Sequence, residues 1–186
     1  MRLWPRTEHT WQVLYRSLHD EDAGVMREAG DIAAYIFGKQ EEQGQSIAEM
    51  AMRADSPYQR VACIECLAKG WPDHPALRTL IENGRGSVSN EVQIASLAAK
   101  VRLGQQQDDD LDALLALSGD RFNSATEYSW HPEVANSLVR GFPQNVRLKL
   151  QCLKSVGHHS FHPSLMDGQV AIFVAVCELA LRMRIS

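Results

Sequence analysis

The chain has 186 residues, 45% of them apolar and 23% charged, and a net charge of −4. That length suits one domain, the composition supplies a globular core, and the mild acidity argues against a dedicated nucleic-acid binder. The start, "MRLWPRTEHTW", lacks the apolar segment of a signal peptide, and four cysteines without an export signal fit a reducing compartment. The longest apolar run, "VAIFVAVC" (170–177), is far short of the roughly 20 residues that cross a bilayer. The expected setting is therefore cytoplasmic, without membrane contact.

Helical periodicity dominates, and no run alternates convincingly with the period of a strand. In "TEHTWQVLYRSLHD", Trp11, Leu14, Tyr15 and Leu18 share one helical stripe. "DEDAGVMREAGDIAAYIFGKQ" reads as one long helix or two, with Gly30 as the break, and Asp20, Glu21 and Asp22 suit its positive end. "EEQGQSIAEMAMRAD" completes an N-terminal third, 1–54, of two or three helices.

"SPYQRVACIECLAKGWPDHPALRTLIEN" (56–83) reads as a helix, a sharp corner and a second helix. Val61, Ile64 and Ala68 line one face, with Cys63 and Leu67 beside them. Gly70 is expected to stop the first helix in a left-handed conformation, and Pro72 prevents its continuation. Asp73 is expected to cap the next helix, which opens near Pro75. Cys63 and Cys66 have the CxxC spacing of redox and zinc sites, but they fall inside a helix and no second CxxC accompanies them. Both are expected to be core residues, and no metal is expected.

Downstream the pattern recurs. "GWPDHPALRTLIENG" (70–84), "SWHPEVANSLVRGF" (129–142) and "SFHPSLMDGQVAIF" (160–173) each open near a His-Pro pair. Between them lie helices of a second kind: 56–70, "SNEVQIASLAAKVRLG" (89–104) and "PQNVRLKLQCLKSVG" (143–157). The starts at Ser56 and Ser89 are 33 residues apart; the next follows 54 later, after "DDLDALLALSG" and an irregular "DRFNSATEYSW". Helix pairs repeating every 30–45 residues or so are the pattern of an α-solenoid. His158, His159 and His162 lie between Gly157 and Pro163, so they are expected in a loop rather than in a metal site. The helix around Val170, Phe173, Val174 and Cys177 is apolar on most sides. It suits the centre of a bundle, a homodimer interface, or a face covered by a partner.

"SNEVQIASLAA" and "PQNVRLKLQCL" resemble the second helix of HEAT repeats, in which a polar turn precedes Val-Arg and small apolar positions. Val146-Arg147 matches that pair. Val92 matches too, but Gln93 stands in the arginine's place; Asp55 and Arg60 fit the first repeat, with Gln59 in place of the apolar residue. "CLAKGWPDHPAL" is also similar to repeats in the C-terminal arrays of bacterial NACHT-type proteins, although GxxxxGK[ST] is absent here. The resemblance spans about 45–157. It implies an α–α superhelix of antiparallel helix pairs with HEAT-like repeats over 55–157, within a chain whose periodicity is all-α and whose apolar pattern gives a C-terminal helix over 158–186. It implies a surface rather than a reaction.

No nucleophile motif or glycine-rich phosphate loop is present, and no cofactor is expected. Glu65, Glu82 and Glu91 are expected on exposed helical faces. The three second-type helices carry seven basic residues (Arg60, Lys69, Lys100, Arg102, Arg147, Lys149, Lys154) against Glu65 and Glu91. In HEAT-like solenoids such helices line the concave side, so the resemblance implies a mildly basic groove for an acidic protein segment. Arg60 and Arg147 are expected to serve structure first, with Lys100, Lys149 and Lys154 freer; the expected partner-binding residues are Lys100, Arg147, Lys149, Lys154 and Trp71. The expected function is non-catalytic protein binding by a scaffold or regulatory module, or by an immunity protein that neutralises a toxin. The alternative is a nucleic-acid-binding protein akin to HEAT-like DNA glycosylases, which the net charge disfavours.

Overall fold

A computed structural model describes residues 5–122 together with positions 137, 141 and 142. The described residues are all-helical: α1 (Glu8–Ser17), α2 (Ala23–Phe37), α3 (Glu41–Arg53), α4 (Pro57–Gly70), α5 (Pro75–Arg85), α6 (Asn90–Arg102) and α7 (Asp108–Phe122). The chain divides into two compact units, Met1–Leu103 and Gly104–Ser186, where the sequence suggests one domain.

In the first unit, α2, α4 and α6 form a row, with α4 in the middle; α1 packs on α2, α3 on α4, and α5 on α6. The corner between α4 and α5 therefore does not fold one helix back along the other: each finds its main partners elsewhere. One core joins all six helices, from Trp11 and Leu18 through Phe37, Ile47, Ile64 and Leu67 to Leu80 and Val92.

Each helix of the row begins on a short polar side chain. Asp22 accepts from the N–H groups of Gly24 (2.7 Å) and Val25 (3.1 Å), Ser56 from Gln59 (3.5 Å) and Ser89 from Val92 (3.4 Å). These caps satisfy backbone donors that have no partner within the helix. They lie 34 and 33 residues apart, so the spacing read at Ser56 and Ser89 extends back to α2.

Gly30 does not break α2. It lies mid-helix, where a Cβ would come within 3.2 Å of the Ala62 carbonyl oxygen and 3.4 Å of Cys66 Cβ. Gly70 likewise has a reason other than the expected one. Its backbone is not left-handed; a Cβ there would meet Ala34 Cα at 2.9 Å. Small residues thus let α2 and α4 approach closely and run parallel, with Gly30 against Cys66 and Ala34 against Gly70. The left-handed glycine that ends a helix is Gly104, φ 67°, just beyond α6. At the corner, His74 rather than Asp73 caps α5: its Nδ1 accepts from the Ala76 N–H at 3.3 Å.

In the second unit α7 runs to Phe122, so 120–122, expected to be irregular, are helical. Its start is a half capping box. The buried Asp110 carboxylate accepts from the Gln107 N–H at 2.7 Å, while the Asp110 N–H donates to the Gln107 carbonyl at 3.0 Å. Gln106 Nε2 donates to the Gly141 carbonyl at 3.0 Å.

Candidate functional site

The candidate site inferred from the sequence is the charged face of the second-type helices. Within the described residues, two of its cations are bonded within the protein and a third is buried. The Arg60 guanidinium donates to the Ala54 carbonyl at 2.6 Å, closing the turn between α3 and α4. That agrees with the structural role expected of it. Lys69 is ion-paired with Asp31 of α2. Lys100, expected to meet a partner, is only 6% exposed. Arg102, at the end of α6, is exposed.

Trp71, also expected to meet a partner, is likewise buried. It is 5% exposed, its indole N–H donates to the Gln40 carbonyl at 2.6 Å, and its ring lies where a Cβ on Gly44 would come within 2.6–2.9 Å. Gly44 leaves room for the ring, so the tryptophan is a wedge between α3 and the α4–α5 corner. Glu65, expected to be solvated, is 8% exposed and pairs with Arg27 Nε at 3.2 Å. Glu82 is exposed as expected; Glu91 is half-buried and accepts from the Ser89 hydroxyl at 2.8 Å.

Cys63 and Cys66 are fully buried and reduced. Burial pushes the Cys63 thiol up to about 12 and raises Cys66 as well, with small further contributions at Cys66 from Cys63 and Asp31. Thiols held neutral in this way are poor nucleophiles and poor metal ligands at ordinary pH. Among the described residues, no group of three or more His, Cys, Asp or Glu side chains is placed to hold a metal ion. Also among them, no helix is long and apolar enough to cross a membrane.

Two pairs escaped the sequence reading: Arg27–Glu65 and Asp31–Lys69, which bridge α2 and α4 side by side. The signal was there. A plus-minus pair four apart on α2 matches a minus-plus pair four apart on α4, the pattern that parallel neighbours require. On the same two helices Tyr35 is 69% and Tyr58 52% exposed. Arg147, Lys149, Lys154, the histidines 158, 159 and 162, and the apolar face of Val170, Phe173, Val174 and Cys177 lie outside the described residues.

The described residues are thus all-helical, and in the first unit the pairs Arg27–Glu65 and Asp31–Lys69 join α2 to α4. No family model matches the chain, and no curated protein or solved structure matches it either.

Proposed function

We propose that the chain is a non-catalytic protein-binding module built as an α–α superhelix of HEAT-like repeats. The observation that carries this reading is one device that recurs. Arg60 lies four residues after the cap Ser56 and donates to the carbonyl of Ala54, two residues before it. Gln93 lies four residues after the cap Ser89 and donates to the carbonyl of Ser87, again two before it. Where the HEAT pattern expects arginine, the glutamine makes the equivalent bond, which supports reading the two turns as repeats.

Stacked helix pairs present long, continuous faces, and such faces serve recognition rather than chemistry. Tyr35 and Tyr58 suit an interface, because tyrosine combines a large apolar body with a polar tip. The preference for an acidic segment now rests on Arg147, Lys149 and Lys154, since Lys100 and Trp71 are internal. A toxin-neutralising role belongs to the same binding class, and a captured enzyme that loses activity in the complex would favour it.

The test is affinity capture from native lysate, with and without nuclease, using the natural chain, Tyr35→Ser/Tyr58→Ser and Lys149→Glu/Lys154→Glu. A stoichiometric protein that survives nuclease and is lost from either variant supports the proposal. Recovery of nucleic acid, with every partner lost on nuclease treatment, overturns it in favour of nucleic-acid binding.

A further inference from the structure

We draw no further inference here: the strongest candidate, the apolar edge formed by the exposed side chains of Val25 and Tyr58 in the first turns of α2 and α4 and Val88 beside the α6 cap, carries nothing because nothing in the structure shows what covers it.

Discussion

Lys39 holds a left-handed backbone, φ 75°, which costs any residue with a Cβ. The conformation is imposed by its neighbours: the Lys39 N–H donates to the Gly70 carbonyl at 3.0 Å, tying the α2–α3 turn to the end of α4. Glycine relieves the strain and gives back part of the gain as chain entropy, so Lys39→Gly should stabilise the protein by about 0.5 kcal/mol. Urea midpoints for the two proteins check this; a lower midpoint for the variant contradicts it. The thiols give a second prediction at this scale. Their folded values lie above the roughly 8.5 of a free thiol, so their contribution is intact below about pH 8.5 and is lost as pH rises toward the folded values. Unfolding free energy should therefore fall with pH above this point, and Cys63→Ala/Cys66→Ala should flatten the fall. Denaturant melts of both proteins between pH 8 and 11 test it, with equal slopes as the contrary result.

At the scale of the element, the carbonyl-reaching side chains can be exchanged. Removing either leaves a loop carbonyl without its donor, and Arg60→Ala should cost about 1–2 kcal/mol against about 1 for Gln93→Ala. If the two positions are equivalent, Gln93→Arg and Arg60→Gln should each come within about 0.5 kcal/mol of the natural chain, compared by chemical denaturation. A large loss for both swaps would mean that the resemblance between the turns is accidental. Helix identity was legible in the sequence because caps and periodicity are local: Ser56, Ser89 and the stripe of Trp11, Leu14 and Leu18 each announce themselves. The roles of Gly30, Gly70 and Trp71 were not, because each depends on a neighbour far along the chain. Local chemistry offers a helix stop as the reason for Gly70, whereas its partner, Ala34, lies 36 residues earlier. Lys100 and Glu65 misled for a related reason, since periodicity supposes one wet face and these helices have little of one.

For the whole molecule, the core that joins the six helices of the first unit is made, among the described residues, of side chains from that unit. A fragment ending at Leu103 should therefore remain helical and melt cooperatively, as read by circular dichroism; a broad, non-cooperative melt would contradict that. The candidate site was less legible than the fold, because a tally of charges along helices does not distinguish an ammonium facing water from one folded inside. The position of α4 has a further consequence. Eight consecutive residues, 61–68, are buried, whereas α5 keeps Arg78, Thr79, Glu82 and Asn83 in water. Selection for folding alone should then act unevenly on helices of similar length. In lineages descended from this chain, α4 should hold its apolar and small residues almost letter for letter, while the outer side of α5 drifts freely. A mutational library sorted for folded protein would record that difference as a block of intolerance at 61–68 beside a helix tolerant on every third or fourth position.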